Sequence, residues 1–249
     1  MAEQQALYDQ KYEDERWEPL RLRPDAVTTN RLDDVVRLLR GRGGRLLEVG
    51  CGSGRLLVAL AEQFEQLDGF DLSRRRIELG TRAIAERYPR LVEKVRLSVG
   101  NGDEPFPYPD GAFDVVIACA VIEHCVNVFS VMDELARVTR PGGHLVVTVP
   151  NIGYLKHVVD LLRGRLPLTG SPTRDVAYWR VHGWDGQHLH YFTRQSLAAL
   201  LRHCGFEPEE WTGDGKYAKY RRWCTNLVGN LTVRARRVAG VPAAGRSGA

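Results

Sequence analysis

The sequence predicts an α/β fold: a doubly wound, mostly parallel seven-stranded sheet with a cap insertion. Three observations predict it. Short apolar runs alternate with helical patterns from Asn30 to about Gly205, the signature of βαβ units. The run Phe113 to Val121 is apolar on both faces after Asp114, as a central strand covered by helices from each side must be. One stretch, Ile152 to Thr193, breaks the alternation and reads as the insertion.

Arg45 to Val49 reads as the first strand, followed by a helix from Arg55 to Phe64 with Leu56, Leu57 and Leu60 on one face. Gln66 to Leu72 is the second strand. Ser73 then caps a helix through Tyr88 that buries Ile77 and Ile84 and ends at Pro89. Val95 to Val99 is the third strand and Phe113 to Val121 the fourth. Val128 to Val138 repeats apolar residues at helical spacing, and Arg140, Pro141, Gly142 and Gly143 stop it before a strand from His144 to Pro150. A helix from Ser196 to Cys204 closes at Gly205. Phe206 to Thr212 and Leu231 to Arg236 complete seven strands, with a loop from Asp214 to Tyr220 between them. The insertion opens with a helical pattern (Leu155, Val158, Val159, Leu162) and continues through Pro167, Pro172, Trp179 and Trp184. The expected organisation is a lead segment 1–30, a ligand-binding core 31–151, a cap 152–193, a completion of the core 194–239 and a disordered tail 240–249.

The 249 residues are 43% hydrophobic and 27% charged, values of an ordinary globular chain large enough for one α/β domain. A net charge of +4 falls short of the concentrated positive field that nucleic-acid binding needs, so a nucleic-acid partner is not expected. Lys216, Lys219, Arg221, Arg222, Arg234, Arg236 and Arg237, interleaved with Tyr217, Tyr220 and Trp223, read as a solvated basic face, with a phosphate-bearing acceptor as the alternative. Five cysteines without CxxC spacing do not make a disulfide framework. Neither a signal peptide nor an apolar stretch near the roughly 20 residues of a membrane span is visible, so a cytoplasmic location is expected.

Leu46-Leu47-Glu48-Val49-Gly50-Cys51-Gly52-Ser53-Gly54 joins a strand to a helix through three alternate glycines, which lets backbone approach a ligand closely. A dinucleotide fingerprint would place its third glycine at position 55, which is Arg55. Glu48, two residues before the first glycine, suits a positively charged ligand such as a sulfonium amino acid. Asp71 ends the second strand about 20 residues on, where an acidic side chain meets ribose hydroxyls. Gly100-Asn101-Gly102-Asp103 offers polar groups for an adenine amino group, from either Asn101 or Asp103.

Glu48 to Gly54, Asp71, Asp103, Phe113-Asp114-Val115-Val116 and Pro141-Gly142-Gly143 together resemble the ordered motifs of class I S-adenosylmethionine methyltransferases, over roughly Arg45 to Pro150. Tyr191-Phe192-Thr193 with Cys204-Gly205-Phe206 resembles the end of many small-molecule members. The resemblance implies the Rossmann-like fold and S-adenosylmethionine as methyl donor. It places the glycine loop and its acid, Glu48, Gly50, Cys51, Gly52 and Gly54, at the methionine end, Asp71 at ribose and Asn101 or Asp103 at adenine, with Leu72, Gly102 and Cys119 as further donor contacts. Tyr8 and Tyr12, with Trp17, lie in a lead segment that either folds over the donor as a lid or docks its aromatics on the domain.

Methyl transfer from a sulfonium is an in-line displacement, and an alcohol acceptor needs a base. His124 follows the fourth strand; His188 and His190, with His182 and Asp185 nearby, lie in the cap. The expected reaction is methylation of a small-molecule hydroxyl with one of these histidines as base. Val121-Ile122-Glu123-His124 with His190 also resembles a metal-binding pattern of RNA and quinone O-methyltransferases. Ala120 stands where its first acid would be, and no metal is expected. N-methylation, a donor-binding module without catalysis and a nicotinamide-dependent oxidoreductase are the competing readings.

Overall fold

The computed structural model of the chain describes residues 5, 9–10, 12–26, 30–215, 218–220 and 224–238. Tyr8, five residues of the basic stretch (Lys216, Tyr217, Arg221, Arg222 and Trp223) and the tail from Gly240 lie outside them.

Seven strands, β1 (Arg45–Val49), β2 (Gln66–Asp71), β3 (Val95–Val99), β4 (Phe113–Cys119), β5 (Thr139–Pro150), β6 (Phe206–Asp214) and β7 (Asn230–Arg237), form one sheet. Its order is β3-β2-β1-β4-β5-β7-β6. The first five strands pair in parallel, and β7 runs antiparallel to both β5 and β6, so one strand of seven is reversed. Helices α1 (Arg31–Leu38), α2 (Arg55–Leu60) and α3 (Arg74–Arg87) cover one face; α4 (Val128–Val138) and α7 (Arg194–His203) cover the other. Alternation along each strand feeds the two cores: Leu46, Val115, Ile117 and Val146 point to the first, Leu47, Val116, Ala118 and Val147 to the second. Two short helices, α5 (Leu155–Leu162) and α6 (Val176–His182), stand in the segment 152–193.

Caps account for several boundaries. The Asn30 side chain accepts from Leu32 N and Asp33 N while Asp33 answers to Asn30 N, a capping box that starts α1. Ser73 caps α3, as its sequence position predicts. Several ends differ from the sequence reading by a residue or more, and three of them have a visible cause. Helix α2 stops at Leu60 rather than Phe64, because Glu65 N donates to Gly44 O and draws the chain into β2. Strand β4 stops at Cys119, since Ala120 turns to φ +58. Strand β5 starts at Thr139, not His144: Thr139 pairs with Phe113, and 140–143 bulge out before pairing resumes at Val115 and His144. Arg140 holds Asp114 at 2.6 Å across that bulge, and a Cβ on Gly143 would come within 2.8 Å of Asp114 O.

The described part of the basic stretch is not simply solvated. Arg234 and Arg236 pair with Glu209 at 3.5 and 3.0 Å, and Arg237 donates to Thr139 O. Among the described residues no helix is long and apolar enough to cross a membrane.

Candidate functional site

The sheet order reverses between β1 and β4, and beyond the carboxyl ends of these strands opens a cavity of about 360 Å³. Glu48 and Val49 of β1, Phe70 and Asp71 of β2, and Cys119 of β4 reach it. The glycine turn forms its floor. Gly50 N and Cys51 N donate to Phe70 O at 2.8 and 3.0 Å, and Gly50, Gly52 and Gly54 all have positive φ, at +70, +56 and +69. A Cβ on Gly50 would lie 2.5 Å from Val121 Cγ2, so backbone alone fits there.

Asp71 organises the turn. Its carboxylate accepts from Gly52 N at 2.8 Å and from Ser73 N at 2.9 Å, and it lies 3.7 Å from the Arg76 guanidinium. Arg76 in turn holds Glu15 at 2.7 Å and lies over the Tyr12 ring at 4.1 Å. Trp17 Nε1 donates to Ser53 O at 2.9 Å, and Glu15 accepts from Ser53 Oγ. The described part of the lead segment is thereby strapped across the glycine turn. Glu48 is buried, and its Oε2 has no hydrogen-bond partner among the described residues. Burial, and next the nearby Asp71, push its carboxyl well above the usual range. An unsatisfied carboxylate facing a glycine cradle calls for a cationic partner.

At the far end Asn101 Oδ1 accepts from Asp103 N at 3.0 Å, and Asp103 accepts from Val126 N at 2.8 Å. Asn101, Gly102 and Asp103 all line the cavity. Of the remaining expected ligand contacts, Cys51, Leu72, Cys119 and Tyr12 line it too, while Gly52 and Gly54 lie behind it in the turn. Burial raises the Cys119 thiol to about 12, so it meets a ligand as a neutral group. Sequence reasoning missed Arg31 and Arg76, both on the cavity wall; each follows a helix cap within a turn, a position whose direction periodicity alone does not give.

The histidines divide. His124 lines the cavity, and its Nδ1 meets Gln187 O at 3.1 Å; a carbonyl only accepts, so Nδ1 carries the proton and Nε2 the lone pair. His188 packs on it edge to face, with ring centroids 4.7 Å apart. Its Nδ1 meets Thr169 Oγ1 at 2.8 Å, and that hydroxyl donates to Asp185 at 2.7 Å, so His188 Nδ1 is again the donor. Asp185 is fully buried and its carboxylate accepts from Thr169 N, Gly170 N and Ser171 N, each at 3.1 Å; it folds the 169–171 loop, and its side chain connects to the His188 ring through Thr169 Oγ1. His190 is held elsewhere, with Nε2 2.9 Å from Cys125 O. Glu123 is fully buried with neither carboxylate oxygen bonded among the described residues, and burial raises its carboxyl to about 8. Ligand atoms of Glu123, His124 and His188 lie within 4.8 Å of one another.

A family model described as a methyltransferase domain matches residues 10–210. A chain of Mycolicibacterium smegmatis named as an S-adenosylmethionine-dependent methyltransferase is 31% identical over 174 residues, covering 70% of this chain and 56% of that relative, just over half its length. A demethylmenaquinone methyltransferase of Bacillus licheniformis is 32% identical over 184 residues, 70% of this chain and 76% of its own. The crystal structure of magnesium protoporphyrin IX methyltransferase from Synechocystis PCC 6803 with bound S-adenosylhomocysteine superposes with a TM-score of 0.58 at 16% identity. The superposition covers 83% of this chain and 81% of that one.

Proposed function

We infer, from the premise that this chain belongs to the class I S-adenosylmethionine-dependent methyltransferases, that it methylates a hydroxyl group of a small molecule. A sugar, a polysaccharide precursor or a specialised metabolite is the acceptor class, and a cytoplasmic enzyme is the setting. Residues 1–30 act as lid, 31–151 and 194–239 as core, and 152–193 as cap. The observation that carries this reading is His124 on the cavity wall with its Nδ1 fixed as donor by Gln187 O, the tautomer in which Nε2 is the basic nitrogen.

When bound, the donor supplies an electrophilic methyl carbon on a positive sulfur. Glu48 and the 50–54 backbone hold its amino-acid end, and Asp71 takes its ribose hydroxyls. Asn101 or Asp103 reads its adenine. The Glu15–Arg76 strap and Trp17 exclude water from the glycine turn. His124 Nε2 takes the acceptor's hydroxyl proton as the oxygen attacks, and His188 packs against the ring that does so.

His124→Ala is expected to lower kcat by about 100-fold or more while the dissociation constant of S-adenosylhomocysteine stays within about twofold. Single-turnover transfer to an accepted hydroxyl compound, beside calorimetry with S-adenosylhomocysteine, measures both; unchanged kcat removes His124 from the mechanism.

A second reading is favoured by one observation, the unbonded carboxylate of Glu123 beside two imidazoles. In a metal-assisted O-methyltransferase Glu123, His124 and His188, rather than His190, would hold a divalent ion that acidifies the acceptor hydroxyl. Loss of turnover on chelation, restored by added metal, selects this reading over the histidine base.

A further inference from the structure

Helix α5 is inside out. Its two buried residues are polar, His157 against the Tyr154 ring and Asp160 paired with Arg174 at 2.8 Å. Four of its five large apolar side chains, Leu155, Val158, Leu161 and Leu162, face outward, Leu162 at 82% exposure, and Val159 is half-buried. Helix α6 and the turn after it continue the pattern: Val176 and Val181 are 67% and 70% exposed and Trp184 60%, while Trp179 turns inward and bonds Ser171 Oγ. Most of the exposed large apolar side chains among the described residues lie in 152–193. Scattered surface leucines need no explanation, but a concentration that displaces polar groups into the interior marks a contact surface.

Charge says which contact. The segment carries five basic residues, Lys156, Arg163, Arg165, Arg174 and Arg180, all exposed. Of its three acids Asp185 is buried, Asp160 is held by Arg174, and Asp175 caps α6. We infer that this face docks on an anionic lipid surface, the leucines, valines and Trp184 entering the interface and the lysine and arginines meeting headgroups. A second copy of the chain is the poorer occupant, since a two-fold contact would set the basic rim against itself. The inner side of the same segment bonds to the site: Leu189 N and His190 N donate to Glu123 O, at 2.7 and 3.1 Å. A docked cap therefore places its substrate end between bilayer and cavity.

The test is co-sedimentation of the full chain with vesicles. Binding to mixed phosphatidylcholine–phosphatidylglycerol vesicles, weakened by salt and absent with phosphatidylcholine alone, is the expected result. Leu162→Asp, Val181→Asp, and Arg163→Glu combined with Arg165→Glu each lower partitioning by about tenfold or more, with S-adenosylhomocysteine affinity unchanged as the control for folding. No binding to the mixed vesicles, equal binding to neutral ones, or a concentration-dependent dimer in light scattering that Leu162→Asp dissociates, overturns the proposal.

Discussion

Gly52→Val is expected to lower S-adenosylmethionine affinity by about 100-fold or more, roughly 2.7 kcal/mol. Gly52 sits at φ +56, where a β-branched side chain costs about 1–2 kcal/mol in backbone strain alone. Its Cβ would also fall 2.3 Å from Arg76 Nη2, displacing the guanidinium that holds Glu15 and flanks Asp71. The turn must then either open, losing the Gly52 N–Asp71 bond, or expel Arg76 and its strap. Either outcome spoils the floor of the cavity, and titration calorimetry reads it directly. Near wild-type affinity with retained fold would mean that the donor does not rest on this turn.

Asp71→Ala is the second large effect. It removes two charge-assisted bonds that shape the turn, at 2.8 and 2.9 Å, and the carboxylate proposed to meet the ribose. Bonds to a charged acceptor are worth about 1.5–3 kcal/mol each, so donor affinity is expected to fall about 10- to 100-fold and the Tm to drop by several degrees. Asp71→Asn, which keeps an oxygen toward Gly52 N or Ser73 N, should lose less of both. Thermal melts with and without S-adenosylhomocysteine separate the two losses, because the ligand-induced rise in Tm shrinks only if affinity falls.

What the sequence made legible follows its periodicities. The unbroken apolar run after Asp114 in Phe113–Val121 reports two-sided burial, and the structure puts its strand β4 beside β1 at the sheet centre. Ser73 and Gly50 to Gly54 are local signals, a cap and a turn, whose geometry needs little tertiary help. Direction is harder. The stripe Leu155, Val158, Val159, Leu162 announces a helix, but a stripe does not say whether it faces core or solvent, and here all of it but the half-buried Val159 faces out. Arg76 and Arg31 escaped notice because charged residues in a first helical turn read as solvated until the fold aims them at a cavity. His188 and His190 stand two apart and share a side of an extended segment in the sequence. The left-handed turns at Asp185 and Gln187 decide which one meets His124.

A crystal of the complex with S-adenosylhomocysteine tests most directly whether the donor lies along the turn after Val49. The expected result is the homocysteine amino group on Glu48, the ribose hydroxyls on Asp71 and the sulfur turned toward His124. Ligand density outside this cavity, or none at saturating concentration, would contradict it.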